Sequence, residues 1–117
     1  MIDAQGIRQL LDTYEKHGWV LRRVLLSDSS REHISFADAD LFSTAEIRRA
    51  GFDAAWFSRP PQVGSIAWEL RSLGGKPFAL VQHVDENSTE FEDILAEVEL
   101  RLQSAVAEKK RLDNGAS

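Results

Sequence analysis

The feature that most constrains the fold is a glycine pair, Gly74-Gly75, which separates two strand-forming runs. Residues 65–73 (SIAWELRSL) and 77–84 (PFALVQHV) both contain the aromatic and β-branched side chains that strands favour. A type I′ turn needs positive φ at both of its central positions, and glycine adopts that conformation without steric cost. The sequence therefore predicts a β-hairpin between residues 65 and 84.

The turn also predicts which side chains share a face of the sheet, because directly opposed residues in an antiparallel pair point the same way. With the two glycines at the centre, the predicted core face carries Ile66, Trp68, Leu70, Ala79 and Val81. The other face is predicted to mix charged and apolar residues, among them Glu69, Arg71, Phe78 and Leu80. A shift of one residue in the pairing would move every side chain of one strand to the opposite face.

An aromatic residue of a neighbouring strand extends this mixed face. Trp56 and Phe57 are adjacent in a strand predicted over residues 54–59, so one of them must point to each side. With Trp56 on the mixed side, the surface has the aromatic and arginine content of a protein interface. We define the predicted interaction face as Trp56, Glu69, Arg71, Phe78 and Leu80. The alternative is an ordinary solvent-exposed face, because much of any protein surface is apolar.

The remaining elements follow from periodicity and capping signals. The sequence predicts an amphipathic helix over residues 3–17 that ends at Gly18, followed by a strand over 19–27. If that strand is regular, Arg22 and Arg23 point to opposite faces. Residues 28–32 are expected to form a loop, and 33–36 a short strand.

Further along the chain, a capping box from Ser43 to Glu46 predicts a short helix that extends to about Ala50. The last helix is predicted over 89–111, with acidic residues at its start and basic residues at its end.

Together these elements predict an α+β protein in the order α-β-(short α)-β-β-β-α. We expect an antiparallel sheet of about four strands, ending in a β-meander, with the N- and C-terminal helices packed on one face. The chain of 117 residues is expected to form a single domain over 1–112, followed by a frayed tail over 113–117.

Composition limits the classes of function. The 14 Lys and Arg against 19 Asp and Glu give a net charge of −5, which argues against nucleic-acid binding. The chain has no cysteine, so disulfides and thiolate chemistry are excluded, and we expect a cytoplasmic protein. No run approaches the ~18 apolar residues that span a bilayer, so no membrane association is expected.

Catalytic signals are sparse in this sequence. It lacks the glycine motifs of phosphate and dinucleotide sites and the nucleophile-elbow motif, and no cofactor is predicted. We therefore expect a non-catalytic binding or accessory module that uses the interaction face for self-association or for a protein partner. The alternative is a small enzyme, or a ligand- or metal-binding domain, because His33, Asp38 and Asp40 could form an acid–base pair or bind a divalent metal.

Overall fold

The computed structural model describes the backbone of residues 4–34, 42, 45–59, 66–73 and 78–115, and their side chains apart from residues 4, 33–34 and 108–115. Three helices and five strands lie within these residues. In chain order they are α1 (Ala4–Lys16), β1 (Val20–Leu26), α2 (Asp28–Ile34), β2 (Glu46–Arg49), β3 (Ala54–Arg59), β4 (Ile66–Ser72), β5 (Ala79–Val84) and α3 (Phe91–Gly115).

The five strands form one open sheet in the order β2-β1-β3-β4-β5. β1 and β2 run parallel, and the other neighbouring strands run antiparallel. β3 lies at the centre, and all of its residues except Arg59 are buried. The predicted α+β class, with a largely antiparallel sheet and helices at both ends of the chain, is confirmed. The sheet has five strands rather than about four.

The two long helices cover opposite faces of the sheet, so the prediction that both pack on one face is wrong. α3 packs on a cluster that includes Leu25 and Trp56, whereas the cluster that contains Ile7 of α1 includes Val24 and Leu26. Successive residues of a strand point to opposite faces, and β1 and β3 are apolar on both. Such strands need cover on both sides, because exposed apolar surface on either side is costly.

A β-bulge in β1 places both arginines on the α3 side. Leu21 pairs with Phe57 and Arg23 pairs with Trp56, so Arg22 is an extra residue in the ladder. Arg22 lies over the ring of Trp68, and Arg23 donates hydrogen bonds to the side chain of Glu92 at the start of α3. The prediction that Arg22 and Arg23 point to opposite faces assumed a regular strand, and it is wrong for that reason.

The pairing of β4 with β5 differs by one residue from the pairing predicted from the turn. Leu70 lies opposite Leu80, and Glu69 lies opposite Val81. This register brings Phe78 and Leu80 onto the face that α3 covers. Burial of these two large side chains outweighs the preference for the turn type inferred from Gly74-Gly75. The two glycines themselves lie outside the described residues.

Residues 28–34 form α2, where the sequence predicted a loop followed by a strand from His33. Ser27 caps this helix, since its hydroxyl accepts a hydrogen bond from Ser30 N at 3.4 Å. Asp53 accepts hydrogen bonds from Ser27 N and Ser30 Oγ, both at 2.8 Å. The polar cluster that suggested a loop thus forms the cap of a short helix and its link to β3.

Residues 46–49 form β2 rather than part of the short helix predicted up to Ala50. Ile47 lies opposite Val24 of β1, and Ala50 N donates to Leu26 O at 3.0 Å. A helix of about two turns gains few internal hydrogen bonds, whereas the edge of the sheet offers this segment a complete ladder. Ser43 of the capping box lies outside the described residues.

Both long helices begin close to their predicted starts. α1 ends where Gly18 adopts a φ of 84°, a left-handed conformation that glycine accepts without strain. α3 continues to Gly115, beyond the predicted end at residue 111, so the described part of the expected tail is helical.

Candidate functional site

The residues of the predicted interaction face do not share a surface. Trp56 is fully buried beneath α3. Phe78 and Leu80 pack against the same cluster. Glu69 and Arg71 point to the opposite face, which α1 covers. The interaction face in its predicted form is therefore divided between the two sides of the sheet.

On the α1 side, Glu69 is held by a tyrosine. Tyr14 stacks on Phe57 with 4.0 Å between the ring centroids, and its hydroxyl donates a hydrogen bond to Glu69 Oε2. Burial, together with this hydrogen bond and the negative charge of Glu69, raises the pKa of Tyr14 above its ordinary value, while the nearby Arg71 acts in the opposite direction. This contact joins α1 to the sheet.

A groove on the α3 side brings two arginines and two aromatic rings together beside the bulge. Its volume is about 330 Å³, and it is lined by Arg22, Arg23, Glu46, Trp68, Glu86 and Phe91. The guanidinium of Arg22 lies 5.2 Å from the centre of the Trp68 ring and 3.8 Å from Glu86. The guanidinium of Arg23 lies 5.8 Å from the centre of the Phe91 ring.

Opposite charges in this groove neutralise one another. Arg23 donates to both oxygens of Glu92, at 2.9 and 2.5 Å, and lies 3.3 Å from Glu46. The hydrogen bond from Arg23 lowers the pKa of Glu92. Because each arginine has a carboxylate beside it, the groove has no excess positive charge to attract an anion. We interpret it as a set of ion pairs that holds β1 to the start of α3.

β5 forms an edge of the sheet whose outer backbone groups pair with no strand among the described residues. Ser72 N donates to Phe78 O at 2.8 Å, so these two residues form a hydrogen-bonded pair. Such pairs occur at every second residue of an antiparallel ladder. The residues between them, Ala79, Val81 and His83, therefore direct their N–H and C=O groups away from the sheet.

The side chains of this edge are also accessible. Ala79, Val81 and His83 are all exposed, Val81 to 51%. The strand ALVQHV contains no charged residue and no proline, and it pairs with β4 without a bulge. Charges, proline and bulges are the usual means by which proteins protect an edge strand. Gln82 Nε2 donates to His83 O at 3.3 Å, a weak contact that an added strand can replace.

The other edge strand of the sheet, β2, differs from β5 in length and in charge. β2 has only four residues, and three of them, Glu46, Arg48 and Arg49, are charged and exposed. Arg48 bonds to Glu46, and Arg49 bonds to Asp28. A short, charged edge resists pairing with another strand. Of the two edges, β5 is therefore the one suited to binding.

In the described part of the chain, no three His, Cys, Asp or Glu side chains are grouped so that they could hold a metal ion. Nor does any of its helices combine the length and apolar character that crossing a bilayer requires. The predicted loop site consists of His33, Asp38 and Asp40. The backbone of His33 lies in α2, whereas its side chain, Asp38 and Asp40 are not among the described parts of the chain. That site stays a prediction.

Comparisons with known proteins add no functional information. No protein-family model matches the chain, and neither a curated protein nor a solved structure matches it. The geometry of the described residues is therefore the basis for assigning a function.

The edge residues were missed because the predicted register placed Ala79 and Val81 in the core. The signal that could have corrected it is the bulk of Phe78 and Leu80, which lie on the opposite side of the strand from Val81. The heavier pair belongs on the covered face. Given that choice, the sequence also shows that Ala79, Val81 and His83 form an uncharged row.

Proposed function

We propose that this protein is a non-catalytic, cytoplasmic binding module that holds a protein partner, or a second copy of itself, along the β5 edge. The supporting observation is the outward-directed backbone of Ala79, Val81 and His83 on an uncharged strand. An extended segment laid against such an edge gains a ladder of main-chain hydrogen bonds. The lack of cysteine suits a reducing compartment.

The surface beside the edge favours a particular kind of segment. A strand added to β5 would place alternate side chains next to Ala79, Val81 and His83, on the α1 side of the sheet. Val81 is the large apolar residue of this row and is half exposed. A partner segment with apolar or uncharged polar side chains fits this row, because burying a charge beside Val81 would be costly.

A selection from random peptides displayed on phage tests the proposal. The immobilised protein should select peptides rich in strand-forming residues, and their binding should slow hydrogen exchange at the amides of Val81 and His83. Val81→Lys should abolish that binding, because it places a charge in the uncharged row of Ala79, Val81 and His83. The matched control is Val20→Lys, since Val20 is equally exposed, at 51%, but lies on β1.

Two results would contradict the proposal. One is a selection that yields no peptide from a protein that is also monomeric at every concentration, so that nothing occupies the edge. The other is a set of peptides that bind Val81→Lys as well as they bind Val20→Lys.

A further inference from the structure

We infer that the partner of the β5 edge is a second copy of this chain, paired antiparallel about a two-fold axis that passes beside Val81. The inference rests on the proposed function, because it uses the same edge and names its occupant. In this dimer the sheets of the two copies are continuous, with β5 of one copy hydrogen-bonded to β5 of the other.

The outward-directed residues determine the register. Only residues that point their N–H and C=O groups outward can form hydrogen-bonded pairs across the new boundary. With Val81 opposite Val81 of the second copy, Ala79 lies opposite His83 on both sides of the axis. All three outward residues are then paired, with about two hydrogen bonds for each of three pairs. Sliding the strands to the next permitted register leaves one outward residue of each copy unpaired.

Side chains at this boundary are compatible with the same register. Val81 meets Val81, which brings two half-exposed apolar side chains together on the α1 face. On the other face, Leu80 lies opposite Gln82 of the second copy. No charged residue lies within β5, so no like charges are opposed along the strand.

The charges that follow the strand favour the antiparallel direction. Asp85 and Glu86 come directly after β5. A parallel, in-register pair would place each of these acidic residues beside its own copy, which is destabilising. In the antiparallel pair the two copies of Asp85 lie at opposite ends of the ladder. They are then separated by about eight residues, or roughly 27 Å of strand.

The assembly should stop at two copies. A two-fold contact uses the same strand of both molecules and closes on itself. The remaining edge, β2, is short and charged, so it offers no site for continued growth. A contact built on one strand of each copy is at the small end of interface sizes, and we expect a concentration-dependent dimer rather than an obligate one.

Cysteine cross-linking tests the register directly, because the chain contains no cysteine of its own. In Val81→Cys the two Cα atoms would lie about 5.5 Å apart, which is within the range that a disulfide bridges. In Ala79→Cys the two cysteines would be about four residues, or roughly 14 Å, apart, beyond that range. Val20→Cys controls for random collisions at equal exposure. We expect mild oxidation to yield dimer from Val81→Cys at least roughly tenfold faster than from either control.

The dimer is measured independently by light scattering over a range of concentrations. Val81→Lys should weaken dimerisation by roughly tenfold or more, because two like charges would face each other, whereas Val20→Lys should leave it unchanged. Tryptophan fluorescence and circular dichroism check that each variant is folded, which the exposure of both positions favours.

Each outcome decides the inference. Faster cross-linking of Val81→Cys, together with a dimer that Val81→Lys weakens, supports it. A dimer in which Ala79→Cys or Val20→Cys cross-links as fast as Val81→Cys overturns it, since the register or the surface is then different. A monomer at every concentration also overturns it. In that case the phage selection alone decides the proposed function, which stands if Val81-dependent peptides are found.

Discussion

The contact between Tyr14 and Glu69 should contribute measurably to stability, and replacing Tyr14 by phenylalanine isolates it. The variant keeps the ring that stacks on Phe57 but removes the hydroxyl that donates to Glu69. Hydrogen bonds to charged groups contribute about 1.5–3 kcal/mol to protein stability. Because both side chains are only partly buried, we expect Tyr14→Phe to lower the free energy of unfolding by about 1–2 kcal/mol, around the lower limit of that range.

Urea denaturation followed by tryptophan fluorescence measures this loss. Glu69→Gln and the double variant complete a double-mutant cycle, and a positive coupling energy is expected because the two side chains are in contact. A change in Tyr14→Phe that is smaller than about 0.3 kcal/mol, or a cycle without coupling, would show that the hydrogen bond does not stabilise the fold.

The same contact predicts a dependence on alkaline pH. The folded protein raises the pKa of Tyr14 above the ordinary 10.0, so it holds the phenolic proton more tightly than the unfolded chain does. The contribution to stability is complete below pH 10 and is lost as the pH rises toward the folded-state pKa.

This prediction is easily measured because the chain has a single tyrosine. Phenolate absorbance should appear only well above pH 10, or together with alkaline unfolding, and Glu69→Gln should bring it closer to 10. Phenolate that forms near pH 10 in a protein with native fluorescence would refute the reasoning.

Two further predictions concern α3 and its contacts. Glu92→Gln should cost about 0.5–1 kcal/mol at neutral pH, because Arg23 loses a charged partner that is itself largely solvent-exposed. Since the pKa of Glu92 is lowered in the fold, this difference should shrink as the pH falls below the ordinary value of 4.5, and urea titrations at several pH values measure it. Leu102→Ala should cost about 2–5 kcal/mol because Leu102 is fully buried, whereas Leu100→Ala, at a position 65% exposed, should change stability by less than about 0.5 kcal/mol.

Segments with a strong local pattern could be predicted from the sequence. The apolar spacing of the two long helices and the turn glycine Gly18 located α1 and α3, and the β-forming runs located β1, β3, β4 and β5. β2 could not be found in this way. It is a strand because a non-adjacent segment, β1, supplies its hydrogen bonds, and nothing within residues 46–49 reveals that partner.

The candidate site at the β5 edge could not be located from local sequence patterns. The register of β4 and β5 results from a competition between the turn and the burial of Phe78 and Leu80, and the turn alone predicted the wrong outcome. The cover on both faces of β3 was visible in the uninterrupted apolar run Ala54–Phe57, which is typical of a strand buried on two sides. The edge position of β5 required the strand order, which local patterns do not contain.

The bulge in β1 affects how this strand can change in length during evolution. Leu21 and Arg23 pair with Phe57 and Trp56, which are consecutive in β3, so the ladder would be regular if Arg22 were absent. In an ordinary strand, the loss of one residue moves every side chain on one side of the deletion to the opposite face of the sheet. Here the deletion of Arg22 would leave each remaining side chain of β1 on its present face and, among the described residues, would remove the contacts with Trp68 and Glu86. Arg22 is thus a position within an inner strand at which the chain can lose a residue without repacking either core.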